Sequence, residues 1–140
     1  MQEIKSLKQL QDFIDSVNGF HDWFLRRVEF ISHDSPDSER PPGRILSERL
    51  DVTLVFSNFS DAATGAPSDV AVTLKGARGI AALLPPRDGS SFSDWGVNDV
   101  EVSEDKPGSL RLRIISSIHK AGAWSPITLV DVPFATGEVL

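Results

Sequence analysis

The sequence predicts an α+β fold in which one N-terminal amphipathic helix packs on a mostly antiparallel sheet of about six strands. Apolar residues recur at helical spacing within about the first twenty positions. After them, apolar and polar residues alternate with the period of two that is typical of half-buried strands. The breaks between these segments hold about a dozen residues or fewer, which suits hairpins better than the crossover helices of parallel sheets. A half-barrel is one form that such a sheet could take.

The helix is predicted to begin after Ser6 and to end at Asn18-Gly19. Ser6 has the side chain of an N-cap, and Gln9 follows at the spacing of a capping box. Glycine adopts the left-handed conformation that closes a last helical turn. The apolar stripe consists of Leu7, Leu10, Phe13, Ile14 and Val17.

Six alternating segments follow the helix, separated by breaks rich in Pro, Gly, Ser and Asp. In chain order they run from about Trp23 to Ser32, from Leu46 to Phe56, from Val70 to Leu74, around Val97, Val100 and Val102 with a register break after Val97, from Leu110 to Ile114, and from Ile127 to Val132. We expect Pro126 and Pro133 to limit the last strand, because proline cannot donate a ladder hydrogen bond.

Composition predicts a single domain covering residues 1–140. The chain has no cysteine, which excludes disulfides, thiolate metal sites and cysteine nucleophiles. The longest apolar run is Ile80–Leu84, whereas a membrane span needs about 20 residues. The first ten residues do not resemble a secretory signal, so a cytoplasmic protein is expected.

The charge is acidic, with a formal net charge of −6, and it favours a basic protein partner over nucleic acid or an anionic membrane. The stretch from Asp94 to Asp105 holds five acidic residues and no basic one. Tryptophan is enriched at interface hot spots, and two tryptophans lie in loops that contain Gly or Pro. The predicted partner-binding residues are Asp94, Trp95, Asp99, Glu101 and Trp124. Solubility alone is the alternative explanation of the acidity.

Two His-Asp dipeptides, His21-Asp22 and His33-Asp34, raise the hypothesis of a metal site, because imidazole and carboxylate bind zinc, manganese or iron. A strand between the two histidines would hold them roughly 40 Å apart. The candidate ligands are therefore His21, Asp22 and His119. In the alternative interpretation, Asp22 is a turn or capping residue and His21 bonds locally. No motif predicts a cofactor, and no G-x-S-x-G sequence predicts a nucleophile.

The motif Gly19-Phe20-His21-Asp22, followed by a strand and then by Leu50–Phe56, resembles a group of small bacterial domains. These open with a helix, carry a Phe-His-Asp junction and continue into an antiparallel sheet. Some are similar to the Imm50 type of immunity proteins from contact-dependent or polymorphic toxin systems. The resemblance covers about the first sixty residues. It implies that a catalytic role should not be presumed and that the partner could be a basic toxin.

Together these observations predict a non-enzymatic binding or interaction domain, with toxin immunity as its most concrete form. The alternative is a small metal-dependent enzyme or ligand-binding protein that uses His21, Asp22 and His119. A third hypothesis is a structural subunit of a homo-oligomer, because an exposed sheet edge can pair with a second copy of itself.

Overall fold

The computed structural model describes residues 1–33, 50–58, 69–78, 80–82, 96–120 and 122–140. Within these ranges the chain forms one α-helix and nine β-strands. In chain order they are β1 (Gln2–Ile4), α1 (Leu7–Ser16), β2 (Trp23–Ser32), β3 (Leu50–Asn58), β4 (Asp69–Ala77), β5 (Ala81–Ala82), β6 (Asp99–Lys106), β7 (Ser109–Lys120), β8 (Ala123–Phe134) and β9 (Thr136–Val139).

The helix begins where the sequence predicts. The Ser6 hydroxyl accepts a hydrogen bond from the backbone N–H of Gln9 at 3.2 Å. The Gln9 side chain accepts in turn from the N–H of Lys5 at 2.7 Å, one residue before the N-cap position of a standard capping box. Leu10, Phe13 and Ile14 are buried, so the predicted apolar stripe does face the core.

The prediction of an α+β fold with antiparallel pairing is confirmed, but the number of strands is not. The described strands form two sheets, with the orders β1-β9-β4-β3-β2 and β5-β8-β7-β6, and neither sheet closes into a barrel. Every pair of neighbouring strands within these sheets is antiparallel. The six predicted strands correspond to β2, β3, β4, β6, β7 and β8. The three unpredicted strands have two to four residues each, too few for an alternating pattern to be recognised.

The prediction that two prolines limit the last strand is wrong. Pro126 and Pro133 both lie inside β8, opposite Ser117 and Arg111 of β7. On its other side β8 pairs with β5 only at Val130 and Asp131. At the prolines β8 therefore has one neighbouring strand among those described, and proline is tolerated where its missing N–H leaves no bond unmade.

One core joins the helix and both sheets. Its largest fully buried side chains are Phe20, Phe56, Phe134, Ile4, Leu10, Leu54, Leu74, Leu110, Leu112, Ile114, Leu129 and Val52. They come from α1, from the turn after it and from strands of each sheet, so the alternating apolar residues point into a shared interior. The part of the predicted second strand before Leu50 lies outside the described residues.

Backbone hydrogen bonds tie the two sheets together at several places, among them the following two. At the first, β8 passes through Ala135 into β9 of the other sheet, and the Ala135 N–H donates to the carbonyl of Lys75 on β4 at 2.9 Å. At the second, the N–H of Val97 donates to the carbonyl of Trp23 at 2.8 Å. The residues that precede β6 are thus held against the start of β2, which fixes where β6 begins.

Candidate partner-binding surface

The strand β6 lies at one end of its sheet. In the part of the chain that the structure describes, it pairs with β7 on one side and with no strand on the other. A groove of about 720 Å³ opens beside it. The groove is lined by Gln11 of α1, by Val100, Glu101, Val102, Ser103 and Asp105 of β6, and by Arg111 and Arg113 of β7. The helix therefore forms one wall of the groove and the strand forms the other.

Ion pairs join three strands across the outer face of this sheet. Arg111 donates from Nη1 to both carboxylate oxygens of Asp131 at 3.0 Å, and its Nε lies 3.3 Å from Asp105. Arg113 donates from Nε to Asp131 at 3.3 Å, and its Nη1 lies 3.8 Å from Glu101. Two guanidinium groups are thus shared by three carboxylates. The stabilisation from the exposed pairs is small, and the main consequence is that neither arginine is left as an uncompensated positive charge.

The remaining side chains of β6 leave this surface acidic. We call the exposed carboxylates of the strand, Asp99, Glu101, Glu104 and Asp105, the β6 surface. The single basic residue of the strand is Lys106. On the face of Arg111 and Arg113, four carboxylates accompany three basic groups, and Glu104, opposite Leu110, lies on the other face, so the surroundings of the strand have a net negative charge.

Two of the predicted partner-binding residues come together on this strand. Asp99 is the first residue of β6, and its Oδ1 accepts a hydrogen bond from the N–H of Val100 at 2.8 Å. Glu101 follows two positions later, and its side chain is 58% exposed. Asp94 and Trp95, predicted for the same site, lie outside the described residues.

The structure separates the fifth predicted residue, Trp124, from the β6 surface. Trp124 is 61% exposed and lies opposite His119 near the end of the β7–β8 hairpin. Glu101 lies opposite Arg113, six positions away from His119 along β7, which corresponds to about 20 Å. A partner would have to cover a large area to contact both.

The predicted site did not include Arg111, Arg113 or Asp131, nor Glu104 and Asp105, which were counted only as part of the acidic stretch. The alternation of Arg111 and Arg113 with apolar residues did predict that both point away from the core. Their ion-pair partners could not be identified, because the order of strands in a sheet cannot be read from alternation alone. Asp131 in particular comes from β8, about twenty residues later in the chain.

The candidate metal ligands form a local pair. His21 Nδ1 lies 3.2 Å from Asp22 Oδ2, and both side chains are mostly exposed. His33 lies beyond the other end of β2 and pairs with Asp51 at 2.8 Å, so His21 and His33 are separated as the sequence predicts. The side chain of His119 is outside the described part of the structure. Among the described residues no group of three or more potential ligands occurs, and metal binding stays a prediction.

A left-handed turn places His21 and Asp22 beside the start of β6. Asn18, Gly19 and Phe20 have φ values of 52°, 63° and 54°, and Asp22 has a φ of 67°. Gly19 was expected in this conformation, but Phe20 was not, since large side chains rarely adopt it. A Cβ built on Gly19 would lie 3.7 Å from Asp99 Oδ1, so the turn contacts the first residue of the β6 surface.

The burial of Phe20 offsets the strain in this turn. Its ring is fully buried and stacks on Phe56, with centroids 3.9 Å apart and planes inclined by 12°. It also makes edge contacts with Phe13 at 5.8 Å and Trp23 at 5.1 Å. A buried aromatic ring contributes several kcal/mol, roughly 3–5 by comparison with alanine, which exceeds the roughly 1–2 kcal/mol cost of one left-handed residue.

Comparison of the chain with models of known families, with curated proteins and with solved structures finds no match. None of the described helices is long and apolar enough to cross a membrane.

Proposed function

We propose that this chain is a non-enzymatic interaction domain that binds a basic protein partner through the β6 surface. The observation that carries the proposal is the clustering of four exposed carboxylates on a terminal strand, with both nearby arginines already paired to carboxylates. Such a surface attracts a positively charged protein and accelerates its association, most strongly at low salt.

Toxin immunity is the most concrete form of this proposal. The resemblance of Gly19–Asp22 to the junction of Imm50-type immunity proteins supports it, and so does the acidity of the chain. Many toxins that such proteins neutralise would be basic, and the partner would then meet the domain in the cytoplasm. The β6 surface would supply orientation and rapid encounter, and apolar contacts near it would supply most of the affinity.

The chain offers a matched pair of variants that tests the proposal. Glu101 on β6 and Glu29 on β2 each lie on a terminal strand, and their side chains are 58% and 47% exposed. Each forms a long ion pair with an arginine, at 3.8 Å to Arg113 and 3.7 Å to Arg27 respectively. Glu101→Lys and Glu29→Lys therefore change the net charge equally, but only the first alters the β6 surface.

The experiment is capture of proteins from source cells by the immobilised wild type and the two variants, at low salt and with identification by mass spectrometry. We expect the wild type and Glu29→Lys to retain the same basic protein, which moderate salt releases, and Glu101→Lys to lose it. Retention of that protein by all three forms, or its loss from both variants alike, would contradict the proposed surface. Circular dichroism confirms that the variants are folded.

A further inference from the structure

We infer that the partner binds by adding an extended basic segment as a new strand on β6; this rests on the proposed function and specifies its geometry. A terminal strand presents a row of backbone N–H and C=O groups that another chain can extend. In the described structure β6 has a strand neighbour only at β7, which pairs with it from Asp99 to Lys106. No other described strand pairs with it, although the Val100 N–H already donates to the Asp99 side chain and α1 contacts the strand.

The groove has the position that strand addition requires. Successive residues of a strand point to opposite faces of its sheet, and the groove is lined by both sets: Val100 and Val102 from one, Glu101, Ser103 and Asp105 from the other. It therefore reaches the edge of the strand rather than lying over a single face. The lining residues of β6 span about 20 Å at the rise of an extended chain, enough for a segment of six residues.

The side chains of β6 specify the composition of the incoming segment. On one face its residues would neighbour Glu101 and Asp105, which favours Lys or Arg. On the other face they would neighbour Val100 and Val102, which favours Val or Ile, and at its end Glu104, which favours a basic residue there. The expected segment thus alternates basic and apolar residues.

The same charges argue against two other arrangements. Pairing of β6 with the β6 of a second copy would bring acidic strands together, and opposed like charges destabilise a sheet. The other long terminal strand, β2, carries one carboxylate, Glu29, and two arginines that are each paired with a carboxylate, so a basic segment is favoured on β6 rather than there. The occupant that fits is a different, basic chain.

The test uses three fluorescein-labelled peptides of eight residues and measures fluorescence anisotropy at low ionic strength with the whole protein. The first peptide alternates Lys and Val. The second is N-methylated at every Lys amide and the third at every Val amide. For one direction of the added strand, the side-chain preference decides which residues direct their N–H groups toward β6, so in the preferred direction one methylated peptide loses backbone bonds and the other loses none. We expect one of the two to bind at least about tenfold more weakly than the first, the effect of one or two hydrogen bonds.

Two variants of the protein test whether the peptide binds at β6. Binding of the unmethylated peptide should fall in Glu101→Lys and stay unchanged in Glu29→Lys. Equal binding of all three peptides would overturn strand addition, and so would the absence of binding by any of them. If partner capture then still depends on Glu101, the proposed function survives without this geometry. If capture is also independent of Glu101, both proposals fail.

Discussion

Replacement of Phe20 measures how the left-handed turn and the packing of the aromatic ring each change the free energy of unfolding. The ring is fully buried, stacked on one aromatic side chain and in edge contact with two others. Phe20→Ala should lower the free energy of unfolding by about 4–5 kcal/mol, the upper part of the range for such truncations, because aromatic pairs are lost together with buried area. Because typical domains have a stability of roughly 5–15 kcal/mol, the variant stays largely folded if the wild type has about 7 kcal/mol or more.

Comparison of Phe20→Gly with Phe20→Ala separates the effect of the backbone conformation on stability from the effect of losing the ring. At an ordinary position in the β or α region, glycine is about 0.5–1 kcal/mol less stable than alanine. Residue 20 has a φ of 54°, where any side chain costs roughly 1–2 kcal/mol and glycine costs almost nothing. The glycine variant should therefore be more stable than the alanine variant by about 1 kcal/mol.

Urea denaturation followed by circular dichroism measures both variants against the wild type. We expect both variants to lose a large part of the free energy of unfolding, and Phe20→Gly to lose less than Phe20→Ala. If glycine were the worse substitution by 0.5 kcal/mol or more, roughly the penalty at an ordinary site, the left-handed conformation of this turn would be refuted. A loss below about 2 kcal/mol for alanine would contradict the packing of the ring.

Three further predictions concern the same turn, a surface ion pair and the metal hypothesis. Gly19→Ala should lower the free energy of unfolding by about 1–2 kcal/mol, because alanine is strained in the left-handed conformation. A steric clash does not contribute, since the nearest atom to an added Cβ is 3.7 Å away. An unchanged midpoint of urea denaturation would contradict this prediction. The hydrogen bond that Lys75 donates to Glu138 at 2.6 Å raises the pKa of Lys75 above 10.5, so its contribution is complete below that pH and is lost as the pH rises through the folded-state pKa. The stability difference between wild type and Lys75→Met should therefore be constant near neutrality and shrink at alkaline pH, and a difference independent of pH would count against the ion pair. If His21 holds a metal, a divalent cation should raise the melting temperature of the wild type but not of His21→Ala, whereas equal melting temperatures with zinc and with chelator would exclude the site.

The helix and the strand that follows it were predictable because their signals are local. The N-cap at Ser6 and the apolar stripe behind it define the helix without reference to the rest of the chain. The strand from Trp23 to Ser32 has the bounds that were predicted, although a bulge between Leu25 and Arg27 interrupts its alternation. Very short strands carry no such signal, and β5 with only two residues exists because β8 offers it a partner.

The division into two sheets required information that alternation does not contain. At Ala135 the chain passes from β8 of one sheet to β9 of the other, with only this residue between the two strands. Pro133 and Gly137 flank Ala135, but they lie inside β8 and β9 and neither marks the change of sheet. A single sheet was therefore the natural expectation, and it was wrong.

The candidate site was predictable only where its residues share one strand. Asp99 and Glu101 come together because they are two positions apart on β6. Trp124 was grouped with them through its residue type, but its register places it near the far end of β7. The pairing of Arg111 with Asp131 depends on which strands are neighbours, a long-range property that composition and spacing do not reveal.

The association rate of the captured partner, measured at several ionic strengths, tests the central claim most directly. The partner is the basic protein that the wild type retains, and the three forms compared are the wild type, Glu101→Lys and Glu29→Lys. The account predicts that Glu101→Lys slows association several-fold at low salt, that the difference shrinks as salt screens the charges, and that Glu29→Lys associates like the wild type. Equal rates for all three forms, or a rate that does not depend on salt, would contradict recognition of a basic partner by the acidic strand β6.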